Sequence, residues 1–159
     1  MHFMWEDDDD DFEFEEPDES DKKEFEEREK RIRNLPIMKK AKEIYDLTRA
    51  ITETFDKKKD QLHMREHMLS CAVILAPKIA GAAGSDSFMI QMENAVIIKM
   101  NARDLLASTS LVKAESLAQP EYLQVLRDEI ENFRLLFLDW IRTFKDSEKW
   151  DDGWGMFVE

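Results

Sequence analysis

The sequence is poor in the residues that build turns, strands and covalent crosslinks. Its 159 residues include four glycines, four prolines and one cysteine. Nowhere do apolar and polar β-branched residues alternate over the length of a strand, so hairpins and sheets are not predicted. A single cysteine excludes an intrachain disulfide. We therefore expect an all-α protein in which Cys71 is a small buried side chain of an apolar helix.

The sequence also lacks a long hydrophobic run. A membrane-spanning helix needs about 20 mostly apolar residues, and charged residues interrupt every apolar stretch before that length. Residues 1–5 lead directly into acidic residues and contain no basic segment followed by an apolar one, so a secretory signal is not predicted. We expect a cytoplasmic protein with no membrane partner.

Negative charge is concentrated at one end of the chain. The net charge is −13, and residues 1–33 hold 16 acidic and 6 basic residues, against 20 and 17 in the remainder. Like charge at this density opposes packing, so residues 1–20 are predicted to be a disordered acidic tail. Residues 21–35 mix both charges at helical spacing and are predicted to be a helical approach to the folded part. The tail is a candidate contact for a protein partner.

Four segments carry apolar residues at helical spacing. They predict helices over residues 36–58, 61–80, 87–114 and 120–145. Short connections force neighbouring helices to be antiparallel. The sequence therefore predicts an up-down-up-down four-helix bundle over residues 36–145.

The same spacing predicts which side chains face the core. For the first helix these are Ala41, Ile44, Thr48, Ile51 and Phe55. For the second they are Leu62, Leu69, Ala72, Val73, Ala76 and Ile79. For the fourth they are Tyr122, Leu126, Ile130, Phe133, Phe137, Trp140, Ile141 and Phe144. Pro77 is expected to bend or end the second helix, and Ser85 and Asp86 are expected to cap the third.

The early part of the third helix is apolar on more than one side, so a face beyond the core needs covering. We predict a homo-oligomer in which the third and fourth helices supply both bundle core and subunit contact. The predicted interface residues are Phe88, Met89, Met92, Val96 and Met100. The function expected from this pattern is that of a non-catalytic interaction or scaffold protein.

Residues 146–159 form an acidic-aromatic C-terminal tail. Two interpretations are open: its aromatic residues fold back on the bundle, or Trp150, Trp154 and Phe157 form a short motif that docks in a partner's groove.

The only pattern that suggests chemistry is His63-x-x-Glu66-His67. Two histidines four apart on a helix can share a zinc ion, with the glutamate as general base, which makes a zinc-dependent hydrolase a remote alternative. No third ligand is indicated by the sequence, and both histidines lie near the start of the predicted helix. Surface histidines, no bound metal or cofactor, and no enzymatic activity are expected.

Basic residues at the two ends of the first helix offer a nucleic-acid-binding alternative. They are Lys39, Lys40, Lys42, Lys57, Lys58 and Lys59. Neighbouring acidic residues match these lysines, so a solvated helix face is favoured over a phosphate-binding patch. If the patch binds nucleic acid, the acidic tail competes for it, and deleting residues 1–33 is expected to raise the affinity.

Several short runs keep a recognisable register. The first helix contains Lys40-Ala41, Ile44-Tyr45, Thr48, Ile51-Thr52 and Phe55; the second helix and its turn contain Ala72-Val73, Lys78-Ile79-Ala80, Gly84 and Ser87. With these residues the chain resembles the four-helix-bundle proteins encoded in intervening sequences of bacterial 23S ribosomal RNA genes. It is similar in shape to the accessory proteins of diversity-generating retroelements. The resemblance implies a bacterial homo-oligomer, with a pentamer favoured and without enzymatic activity. In the retroelement relatives a basic surface contacts nucleic acid and a reverse transcriptase.

Overall fold

The computed structural model describes residues 16–158, and this part of the chain is all-α, as predicted. Its helices are α1 (Glu19–Arg33), α2 (Pro36–Glu53), α3 (Met64–Val73), α4 (Leu75–Ala83), α5 (Phe88–Ala114) and α6 (Pro120–Ile141), followed by a 3₁₀ helix over Arg142–Asp146. No helix in the described residues is long and apolar enough to cross a bilayer. The disorder predicted for residues 1–20 falls mostly on residues 1–15, which lie outside the described residues.

One hydrophobic core joins α2, α3, α4, α5 and α6. Helix α2 packs against α3, α4 and α6, and α5 packs against the same three helices. The largest fully buried side chains come from all five helices and include Ile44, Met68, Leu75, Ile98, Leu105, Leu126 and Phe133. Because α3 and α4 form one interrupted rod, the core is built by four helical segments.

Helix α1 lies outside this core. It buries no residue, and Phe25 is 62% exposed. The Asp18 carboxylate accepts hydrogen bonds from the Ser20 hydroxyl and the Asp21 amide, which lower its pKa and cap the helix. Only Ile32, at the end of α1, packs partly against the core. The mixed-charge segment is therefore an ordered helix that begins at Glu19.

All five core residues predicted for the first helix are buried, although α2 ends at Glu53, before Phe55 and before the predicted end at residue 58. The face predicted for the second helix is wrong at both ends. Leu62 and Val73 are 59% and 51% exposed, while Met64 and Met68 are buried. The helix begins later than predicted because the buried Asp60 carboxylate accepts hydrogen bonds from the amides of Met64 (2.8 Å) and Arg65 (3.0 Å).

Pro77 interrupts the predicted second helix earlier than expected. Proline has no amide hydrogen to donate to the carbonyl four residues before it, here that of Val73. The α-helix breaks at Ile74, and α4 then continues through Pro77 to Ala83. Pro77 therefore lies within the second part of the rod and does not end it.

The start of α5 and the face of α6 also differ from prediction. Ser87 caps α5 by accepting a 3.4 Å hydrogen bond from the Ile90 amide, a role predicted for Ser85 and Asp86. In α6, Tyr122 is 50% exposed and Leu123 is buried. In the first turn of α6, the residue that faces the core is therefore Leu123, one position after the predicted Tyr122.

Candidate docking groove between α5 and α6

An apolar groove runs between α5 and α6. Its volume is about 440 Å³, within the range of pockets that bury a drug-sized ligand. The apolar lining residues are Met92, Ala95, Val96, Ala102, Leu106, Ile130, Phe133, Phe137, Leu138 and Ile141. Val96 and Leu138 are 39% and 37% exposed, whereas Ala95, Ile130 and Phe133 are buried. The groove therefore has a buried floor and apolar walls that reach solvent.

Small residues on α5 leave room for this groove. Ala95 and Ala102 are seven residues apart, so they lie on the same side of the helix, and both line the groove. Beside the groove, Phe144 of the 3₁₀ helix packs with Ala82 and Ala95 in a second small cluster. Its ring meets Trp140 edge-on, with centroids 4.8 Å apart. This cluster ties the end of α6 to α4 and α5.

The charged residues that line the groove are mostly basic. Arg134 donates two hydrogen bonds to Glu131, at 2.8 Å and 2.6 Å, and this contact lowers the pKa of the Glu131 carboxyl. The ion pairs among residues 16–158 do not include Lys99 or Arg103, which are also exposed. Two positive charges at the groove therefore form no ion pair with the described residues.

The five residues predicted as a subunit contact do not lie on one surface. Met92 and Val96 line the groove. Met89 is 3% exposed and belongs to the interior of the chain, and Phe88 is half-buried against the second cluster. Met100 is 57% exposed but lies outside the groove lining. The fourth helix was predicted to share the subunit contact, but the α6 residues of the groove, including Leu138, were not named as interface residues.

The C-terminal segment attaches to the start of α5 through its backbone. The Glu148 amide donates to the Asp86 carbonyl at 2.9 Å, and the Phe88 amide donates to the Glu148 carbonyl at 2.8 Å. The ammonium of Lys149 lies 5.0 Å from the centroid of the Phe88 ring. Residues 148 and 149, and not the predicted aromatic anchors Trp150 and Trp154, make this attachment.

Residues 151–155 form a compact loop, here named the acidic turn. The Asp151 carboxylate accepts hydrogen bonds from the amides of Gly153 (2.8 Å) and Gly155 (3.1 Å), and the Asp152 carboxylate accepts one from Trp154 (2.9 Å). Both glycines have positive φ, at 92° and 69°, a conformation that glycine adopts without strain. Of the predicted aromatic motif, Trp154 is 84% exposed, Trp150 is 47% exposed and Phe157 is half-buried.

The histidine pair is not arranged as the zinc motif requires. His63 precedes α3 in a left-handed conformation (φ 52°), so it does not share a helix face with His67. Both side chains are exposed, and Glu66 lies 3.9 Å from His63. His67 contacts the buried Cys71 at 3.8 Å. No group of three potential metal ligands occurs within residues 16–158.

The six predicted lysines lie in two groups, one near each end of α2, as their positions in the sequence indicate. Lys40 is half-buried and contacts the carboxylates of Glu43 and Glu129, both at 2.6 Å. Lys39 and Lys42 are exposed near the start of α2, and residues 57–59 follow its other end. An α-helix of the 18 residues in α2 is about 27 Å long, which separates the two groups.

Comparison with models of known protein families found no match, and comparison with curated proteins found none. The resemblance to the 23S ribosomal RNA intervening-sequence family therefore stays a prediction, as do the pentamer and the basic nucleic-acid surface that it implies.

Proposed function

We propose that this protein is a non-catalytic, homo-oligomeric interaction protein whose subunits contact one another through the α5–α6 groove. The groove itself is the observation that supports this proposal. Its lining is almost wholly apolar, and Val96 and Leu138 hold exposed apolar surface on opposite sides of it. Surfaces of this kind are sites of protein contact in soluble proteins. Burial of the groove between subunits removes that surface from water.

The proposal includes an up-down-up-down arrangement of the four helical segments. Gly81, near the end of α4, lies against Asn94, near the start of α5. Thr109, near the end of α5, accepts a 2.8 Å hydrogen bond from Arg127, near the start of α6. End-to-start contacts between consecutive helices support antiparallel neighbours. In this arrangement the groove lies between residues 92–106 of α5 and residues 130–141 of α6.

Solution mass is the first test of the proposed function. We expect size-exclusion chromatography with light scattering to give a multiple of the 18.8 kDa chain mass. Val96→Asp is expected to reduce this mass to that of one chain, because it places an unpaired charge in an apolar contact. The matched control is Leu111→Asp, since Leu111 is equally exposed (40%) on α5 but lies outside the groove.

Circular dichroism must show that both variants keep their helix content. A wild-type protein that is monomeric at every concentration contradicts the proposed function. Equal masses for the wild type and Val96→Asp remove the groove from the interface.

A further inference from the structure

We propose that the occupant of the groove is the acidic turn of a second copy of this chain, with Trp154 as its anchor. The inference rests on the proposed function and names the part of the partner copy that enters the groove. Four observations carry it: the exposure of Trp154, the order of the turn, the charges on both surfaces and the size of the groove.

Trp154 is exposed on an ordered support. The side chain is 84% exposed, and its neighbours on both sides are glycines held by Asp151. Tryptophan is among the residues that most often dominate the energy of protein interfaces. A loop already ordered by its own hydrogen bonds loses less conformational freedom when it binds, so the turn presents its indole in a form suited to docking.

The charges of the two surfaces are complementary. The turn contains Asp151 and Asp152 and no basic residue, whereas the groove carries Lys99 and Arg103 without partners among the described ion pairs. Opposite charges at the edge of an apolar contact favour the correct orientation and the rate of association. The same charges disfavour groove-to-groove pairing, which would bring the basic residues of two copies together.

The groove is large enough for more than one apolar side chain. Its volume of about 440 Å³ is above the lower end of the range for pockets that enclose a drug-sized ligand. Met156, which follows the turn, is 52% exposed and is available to enter beside Trp154. An indole with a neighbouring thioether provides a polarizable apolar pair that adapts to an uneven lining.

The contact joins two different surfaces of the chain. Each copy has one turn and one groove, so the turn of one copy occupies the groove of the next and leaves its own groove for another copy. Such a head-to-tail contact differs from a two-fold contact, in which both copies use the same surface. This difference provides the sharpest test.

The experiment mixes two variants that are each defective in one half of the contact. Trp154→Ala removes the anchor and keeps the groove, while Val96→Asp blocks the groove and keeps the anchor. Each variant alone is expected to be monomeric by light scattering. Their equimolar mixture has one functional turn and one functional groove, so it is expected to form a dimer and nothing larger.

Three controls make the test specific. Tyr122→Ala removes an aromatic residue that is 50% exposed on α6 and lies outside the groove, and it is expected to keep the wild-type mass. Trp154→Phe keeps an aromatic anchor and is expected to restore part of the assembly. Deletion of residues 1–15, which are also acidic and aromatic, is expected to leave the assembly unchanged.

The outcomes separate this inference from the proposed function. If Val96→Asp dissociates the assembly and Trp154→Ala does not, the groove is an interface but the turn is not its occupant. Dissociation by the 1–15 deletion alone assigns the groove to that segment and overturns the inference. A mixture that stays monomeric excludes the head-to-tail contact. A monomeric wild type contradicts both proposals. If its tryptophan emission shifts to longer wavelength in Val96→Asp but not when Trp154→Phe is also present, the turn binds the groove of its own chain.

Discussion

Lys40 binds two carboxylates at once and links α2 to α6. Its ammonium lies 2.6 Å from both Glu43 and Glu129, and the hydrogen bond to Glu129 is the main cause of its raised pKa. The side chains of Lys40 and Glu129 are 20% and 29% exposed, so solvent screens this pair less than a surface pair. The residue counted in the sequence as part of a nucleic-acid patch is therefore engaged in a contact between helices.

We expect Lys40→Met to lower the free energy of unfolding by about 1 kcal/mol at pH 7, because it leaves Glu129 without its partner. Because the folded-state pKa of Lys40 is raised, its contribution is fully present below the pKa of an unfolded lysine and is lost as pH rises through the folded value. Urea unfolding at pH 7 and at pH 11 measures the difference between wild type and variant. Lys39→Met, at an exposed neighbouring position, is the control; equal effects of both substitutions contradict the prediction.

The spacing of apolar residues predicts the burial of some side chains but not their long-range contacts. The burial of Cys71 was predicted from its apolar neighbours in the sequence. Burial is the main cause of the raised pKa of its thiol, and the negative charge of Asp104 is the second cause. By contrast, the contact of Lys40 with Glu129 joins residues 89 positions apart. No local pattern distinguishes such a lysine from an exposed one. The sequence therefore could not separate Lys40 from the exposed lysines of the candidate patch.

Among the helices, the best predictions are those in which local signals agree. Helix α2 combines a proline at its start with regular apolar spacing, and its predicted face is buried. Helix α5 ends at the predicted residue, Ala114. The α3–α4 rod was predicted less well because its start depends on Asp60 and its break depends on the missing amide of Pro77. Both effects change which residues of the segment face the core, although its apolar composition is the same.

Asp60 stabilises the start of α3. Its carboxylate accepts both amide hydrogen bonds at the start of α3 and is 9% exposed. We expect Asp60→Ala to lower the free energy of unfolding by about 1–2 kcal/mol, as for other lost helix caps. Asp60→Asn, which keeps one acceptor oxygen, is expected to lose less. Urea unfolding of the three proteins measures this order, and a neutral Asp60→Ala contradicts the role given to the carboxylate.

For the whole molecule, stability and assembly are expected to depend on different parts of the chain. Helix α1 buries no residue and contacts the core only through Ile32. The sequence predicted that the third and fourth helices share the subunit contact, but of the groove residues it named only Met92 and Val96, on α5. The α6 half of the groove depends on how α6 sits beside α5, which the apolar spacing of either helix alone does not determine.

A chain that begins at Arg31 is expected to keep the wild-type free energy of unfolding within about 0.5 kcal/mol, because residues 16–30 are all exposed and Ile32 is kept. A chain that begins at Lys39 loses the buried Ile37 and Met38 and is expected to be less stable by several kcal/mol. Urea unfolding followed by circular dichroism compares the two. Similar losses in both truncated chains contradict the placement of α1 outside the core.

The backbone bridge between Glu148 and the start of α5 has a geometric consequence. It fixes the acidic turn to the same helix that forms one wall of the groove, with only Trp150 between the attached residues and the turn. In the proposed contact, the acidic turn and the groove therefore keep the same relative orientation in every copy. Repeating one fixed rotation gives a closed ring of a single size when it divides a full circle, and a regular helical filament when it does not. Negative-stain electron microscopy distinguishes these two forms from the mixed sizes that a loosely tethered turn would produce.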